Sequence, residues 1–225
     1  MALIGYGEAD FHSMVTNDAM TSGFNTVEHL SLDVDFHELM GFKKAEVETI
    51  MQLIGVTDTL MPQVMSDLTA WYDGYLFNTD TTERLYNPDM VMYFANHYER
   101  KKAYPKKMLD TNIASDYTKV RKVFVTNTDE NAYVPLLKSI INDKQIPAVI
   151  TDIFNFELPF TEYDIISLLF YMGWLTIKEA DEGEGNFIFK MPNKVIEELY
   201  YDYFVAISEQ ETQLNRNFGA RVAFD

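Results

Sequence analysis

The chain has 225 residues, enough for one large domain or two small ones around a sizeable core, and its 47% hydrophobic and 24% charged residues are the balance of a folded globular protein. A net charge of −17 opposes phosphate backbones, because nucleic-acid binding relies on Lys and Arg displacing counterions. The absence of cysteine excludes disulfides, Cys-ligated zinc and thiol nucleophiles.

The first residues, Met1–Asp10, carry Glu8 and Asp10 and lack a basic patch followed by an apolar stretch, so no signal peptide is read there. Leu3–Asn25 reads as irregular, with a short candidate strand at Ala2–Tyr6. From Thr26 onward helical signals dominate. Phe42–Ile54 places Val47, Ile50, Met51 and Ile54 at helical spacing, and Gly55 supplies the stop. Pro62–Tyr72 repeats the pattern with Val64, Met65, Leu68 and Trp71. Asn87-Pro88 is a helix start: Asn accepts from free backbone N–H groups, and Pro fits the first helical position because its missing N–H costs nothing there. The next helix, Asp89 to about Lys102, buries Met90, Val91, Phe94 and Tyr98. Ile113–Val125 and Ala132–Asp143 complete the helical set.

The last third changes character. Thr161 with Asp164 forms a capping box ahead of the apolar helix Ile165–Tyr171, which Gly173 ends. Leu175–Ala180 and Phe187–Met191 alternate like strands on either side of the turn Asp181–Gly185. Pro192-Asn193 then caps a final helix through Ile207, and the polar tail after Gln210 frays. The most apolar run, Ile165–Ile177, is interrupted by Ser167, Gly173 and Thr176 and is too short to span a bilayer. The 14 Tyr and 16 Phe call for large packed faces. The expectation is a mainly α protein without membrane contact, cytoplasmic, with a helical bundle over residues 26–155. A winged-helix-like unit with a small β-hairpin occupies 156–207, and a tail or linker 208–225.

Several segments occur in one order: Thr21-Ser-Gly-Phe-Asn25, Trp71-Tyr-Asp-Gly-Tyr75, Glu83-Arg-Leu-Tyr-Asn-Pro88, Asn112-Ile-Ala-Ser-Asp116, Ser167-Leu-Leu-Phe-Tyr-Met-Gly173 and Ile188–Leu199 with its Pro-Asn step. Together they resemble the AAA-ATPase-like proteins common in gut anaerobes, which often carry a PD-(D/E)XK nuclease-like domain at the C-terminus. The resemblance spans roughly Ser13–Phe204. It implies a parent with a P-loop core first, then a helical lid and a winged-helix-like region, and this chain matches only the regions C-terminal to the core. Residues 1–25 are then a remnant of that core. A P-loop requires a Gly-rich turn whose N–H groups cradle phosphate and a Lys that reaches it, and none of the ten glycines is followed by Lys. Leu76 stands where the family often has Arg. The nuclease-like domain is missing as well, and a truncated fragment explains both ends. Mg-ATP is expected only with the missing core, and the partner is either those missing domains or another protein.

The resemblance makes Thr21, Ser22, Gly23 and Asn25 candidates to face a nucleotide; a structural turn around Gly23 is the preferred account. Trp71, Tyr72, Asp73, Gly74 and Tyr75 are candidates for an interaction surface, against the preferred account of a helix end with its aromatics packed inward. Arg100, Lys101, Lys102, Lys106 and Lys107 form the concentrated basic patch, suited to a phosphate or an acidic partner. A solvated helix end, where cations complement the negative pole of the dipole, explains it more simply. His29, Asp33 and His37 would share one face of a continuous helix as a two-imidazole, one-carboxylate zinc set, but Leu30, Leu32 and Phe36 interrupt the segment as core residues and no metal site is assigned.

DNA binding by the winged-helix-like unit is opposed by charge. Thr161–Phe204 holds Lys178, Lys190 and Lys194 against nine acids (Glu162, Asp164, Glu179, Asp181, Glu182, Glu184, Glu197, Glu198 and Asp202). No Ser-His-Asp order or nucleophile elbow appears, so no catalytic residue is assigned. The expected function is a regulatory lid and interaction region that does not hydrolyse ATP alone, with a stand-alone protein-interaction domain as the alternative and nucleic-acid binding behind both.

Overall fold

The computed structural model describes residues 32–109, 130–151, 154, 158–180 and 186–202. The candidate strand at Ala2–Tyr6, the Thr21–Asn25 segment, His29, the helix expected over Ile113–Val125, the turn Asp181–Gly185 and the tail after Gln210 lie outside them.

A 3₁₀ turn, Val34–Met40, opens the described chain, with Asp33 accepting from the Asp35 N–H at 2.9 Å. Helix α1 (Lys44–Leu53) buries Val47 and Met51, one turn apart on the same face. Gly55, at φ +87°, closes it. The Gly55 N–H donates to Gln52 and the Val56 N–H to Met51, both at 3.0 Å, a Schellman pair that satisfies carbonyls the helix leaves open. Helix α2 (Met61–Tyr72) buries Val64, Met65, Leu68 and Tyr72. Helix α3 (Pro88–Lys101) starts at Asn87, whose side chain accepts from the Asp89 and Met90 N–H groups at 3.0 and 3.2 Å.

Helix α4 (Glu130–Asp143) leads into strand β1 (Ile146–Val149). After it come helix α5 (Glu162–Tyr171), strands β2 (Thr176–Ala180) and β3 (Asn186–Lys190), and a further helix, α6, described over 194–202. The Thr161/Asp164 capping box forms, the Thr161 N–H donating to the Asp164 carboxylate at 2.8 Å. Gly173, at φ +75°, ends α5 with a second Schellman pair, from Gly173 to Phe170 and from Trp174 to Leu169. Asn193 caps α6 by accepting from the Ile196 N–H at 3.2 Å.

The sheet is antiparallel in the order β1-β3-β2, with Ile146 opposite Phe189 and Thr176 opposite Lys190. Sequence pattern misses β1. The sheet thus draws an outer strand from upstream of the 155/156 division, and Pro147 is tolerated because β1 is an edge. The helical part and the sheet unit share one continuous apolar cluster, running from Met40 and Val47 through Tyr72, Tyr75, Phe94, Phe170 and Phe189 to Tyr200. Among the described residues, no helix is long and apolar enough to cross a membrane.

Candidate functional site

The place where the two parts meet is built on Trp71–Tyr75. Helix α2 ends at Tyr72, and Asp73 leaves it in extended conformation. Gly74 comes next at φ +112°, a conformation that a side chain rarely adopts. Its Cα also lies against the backbone across the junction: a Cβ there would sit 2.2 Å from the Pro192 carbonyl oxygen. Tyr75 then exchanges backbone hydrogen bonds with Leu85 (3.2 and 2.9 Å), while Leu76 reaches β2, its N–H donating to Thr176 Oγ1 at 2.7 Å and its carbonyl accepting from the Ile177 N–H at 3.2 Å.

Arg84 closes the joint. Its Nη1 donates to the carbonyls of Gly74 (2.8 Å) and Ile177 (3.1 Å), and its Nη2 to that of Lys178 (3.2 Å). The planar fork of a guanidinium lets one side chain hold both the α2 turn and β2. From the other side, Asn193 Nδ2 donates to the Asp73 carbonyl at 3.1 Å, and the Asn87 N–H donates to the Tyr72 carbonyl at 2.9 Å. Lys194 places its ammonium 5.8 Å from the Trp71 ring centroid.

The electrostatics derive from burial. Desolvation raises the Asp73 carboxyl above its ordinary value, although the Gly74 N–H, Arg84, Lys190 and Lys44 pull the other way. Burial wins because the guanidinium directs its donors at main-chain carbonyls, and Asp73 Oδ1 is buried without a hydrogen bond. Burial also lowers Arg84, and it lowers Lys190 with help from the like charges of Arg84 and Lys178. The result is a half-buried acid among cations. It is suited to holding two parts in register.

Tyr72 and Tyr75 are both 0% exposed, packed inward as the preferred account of a helix end has them, so these two rings offer no surface of their own. Trp71 and Asp73 alone of the five keep appreciable surface, the turn being the inward-packed helix end that the glycine implies. Two of the five cations at and beyond the end of α3 are tied to carbonyls: Arg100 Nε donates to Asn96 (3.0 Å) and Lys102 Nζ to Ile54 (2.9 Å). Lys101, Lys106 and Lys107 instead line a concavity of about 560 Å³.

Asp33 and His37 do not act together. Asp33 caps the 3₁₀ turn, while His37 is buried with Nε2 donating to the Glu83 carbonyl at 2.8 Å. Among the described residues, no group of three or more His, Asp or Glu could hold a metal ion. Arg84, Lys190, Thr176 and Asn193 are not legible as a site in the sequence. Arg84 lies within the Glu83–Pro88 segment that carries the resemblance, and that is its single trace.

Comparison with family models, with curated proteins and with solved structures returned no match.

Proposed function

We propose that this chain is the lid-like, non-catalytic interaction region of an AAA-ATPase-like protein, coupling a nucleotide-bound core to the domain C-terminal to it. One observation carries the reading. Three of the segments behind the resemblance, far apart in sequence, meet at a single joint: Trp71–Tyr75 supplies Gly74 and Asp73, Glu83–Pro88 supplies Arg84, and the Pro192-Asn193 step supplies the carbonyl over Gly74 and the amide on Asp73. A set of residues gathered at a shared joint is expected of a part that transmits movement between its neighbours. The sheet unit fits a winged-helix-like description, with α5 ahead of the β2–β3 hairpin and β3 between the other two strands.

In this reading the core supplies the grip on Mg-ATP and the γ-phosphate, and these residues respond to it. The coding sequence upstream of Met1 tests the assignment: an in-frame Gly-rich Lys-Ser or Lys-Thr motif is expected, and a stop codon immediately upstream overturns it. Isothermal titration of the chain with Mg-ATP, paired with a phosphate-release assay, is expected to show no turnover; turnover would end the non-catalytic reading.

A second reading, a stand-alone protein-interaction domain, is favoured by Leu53 and Leu60, which remain 81% and 50% exposed at the α1–α2 connection. Exposed leucines of this size on either side of one connection suit an apolar contact with a partner. Light scattering across a concentration series separates the two: association reversed by Leu53→Glu supports this version, and a strict monomer counts against it.

A further inference from the structure

Helix α3 ends in a reversal that builds a second feature. Lys102 takes the left-handed conformation at φ +51° and turns the chain back along the helix. The returning leg is pinned at several points. The Tyr104 ring packs edge-on against Phe94 at 5.1 Å and its hydroxyl donates to Asp67 at 2.8 Å. Pro105 is buried, Tyr93 donates to the Lys107 carbonyl at 3.1 Å, and Tyr72 donates to the Met108 carbonyl at 2.7 Å. This anchoring sets Lys106 and Lys107 beside Lys101 and His97 of α3, and together with Tyr93 and Tyr104 they line the open concavity of about 560 Å³.

The helix dipole explains Lys101, which lies in the last turn, but not Lys106 and Lys107, which lie outside the helix. Among the described residues, none of the three ammonium groups forms an ion pair, in a protein with 35 acidic residues. Three like charges around one hollow repel one another, and a multivalent anion seated among them would relieve that repulsion. Ammonium groups act as compact point charges toward phosphate oxygens.

We propose that this groove binds a polyphosphate-bearing small molecule, either a free polyphosphate or the phosphate tail of a nucleotide, through Lys101, Lys106 and Lys107. The assignment does not depend on the lid reading, since it requires neither a core nor turnover. Isothermal titration of the full chain at low ionic strength with sodium tripolyphosphate is the test, with ATP without metal as a parallel arm.

Saturable binding is expected, weakened about tenfold by Lys106→Gln/Lys107→Gln and screened by added salt. A matched loss of charge elsewhere, Lys138→Gln/Lys144→Gln, is expected to leave binding within about twofold. Tighter binding of ATP than of tripolyphosphate assigns the groove to a nucleotide, and equal affinity assigns it to the phosphates alone. No saturable binding of either ligand overturns the proposal, as does equal weakening by the two double variants. Thermal melting checks that both variants fold, which the exposed positions of the four lysines favour.

Discussion

The joint at Trp71–Tyr75 and the groove after α3 use cations in opposite ways. At the joint, Arg84 turns its donors onto three main-chain carbonyls, and Asn193 and Asn87 hold two more. In the groove, Lys101, Lys106 and Lys107 present their charge to a hollow and to solvent. The contrast separates structural from available charge by where the donors point, since both regions are rich in cations. Substitutions at the joint should therefore be read in stability, and substitutions in the groove in ligand affinity.

The largest effect is expected at Gly74. Alanine there meets an unfavourable φ of +112° and a backbone oxygen, Pro192 O, 2.2 Å from its Cβ, which cannot swing aside as a flexible side chain would. Gly74→Ala is expected to cost about 3 kcal/mol or more, a fall in Tm of about 6–12 °C in a chain of this size. Calorimetry checks it, and an unchanged Tm would mean that the end of α2 and the start of α6 do not touch. Arg84→Met comes next. It keeps much of the apolar stem but strips the donors from the Gly74, Ile177 and Lys178 carbonyls, for a loss of about 1–3 kcal/mol. Arg84→Lys should recover little of it, because an ammonium cannot span three carbonyls as a planar fork does.

Asp73 sharpens the comparison through pH. Burial raises its carboxyl, so the folded state holds the proton more tightly than the unfolded state does. The folded form then binds more protons than the unfolded form between the ordinary carboxylate value and the raised one. The Asp73 contribution to stability is present below that window and is lost as pH rises through it. Asp73→Asn removes this dependence. The difference in Tm between Asp73→Asn and the parent chain should therefore grow in favour of the variant as pH rises from the acid side into that window. A difference that shrinks instead would show that Arg84 and Lys190 outweigh burial.

The features legible in the sequence are the local ones. The Asn87-Pro88 start, the Thr161/Asp164 box and the stops at Gly55 and Gly173 all form, because a cap and a Schellman turn involve residues a few positions apart. Strand β1 is hidden, being four residues long, interrupted by Pro147 and paired with residues some forty positions away. The zinc trio presumes an α-helix, but Val34–Met40 is 3₁₀, so a spacing of four does not align side chains there. The joint is invisible for a different reason. Arg84 binds backbone carbonyls 93 and 94 positions away, and a carbonyl acceptor leaves no mark in residue type.

Lys102 sits between the two regimes and gives the smallest expected effect. It ends α3 in left-handed conformation, which costs a non-glycine residue about 1 kcal/mol, and its ammonium offsets part of that by donating to the Ile54 carbonyl at 2.9 Å. That bond is solvent-exposed and contributes about 0.5–1 kcal/mol. Lys102→Gly removes both the strain and the bond, so the two changes should nearly cancel, with a net shift within about 0.5 kcal/mol by chemical denaturation. Lys102→Ala keeps the strain and loses the bond, and should fall clearly below both. If glycine and alanine behave alike, the reversal does not depend on a left-handed residue, and the wall that carries Lys106 and Lys107 is held by its other anchors, Tyr104, Tyr93, Tyr72 and Pro105.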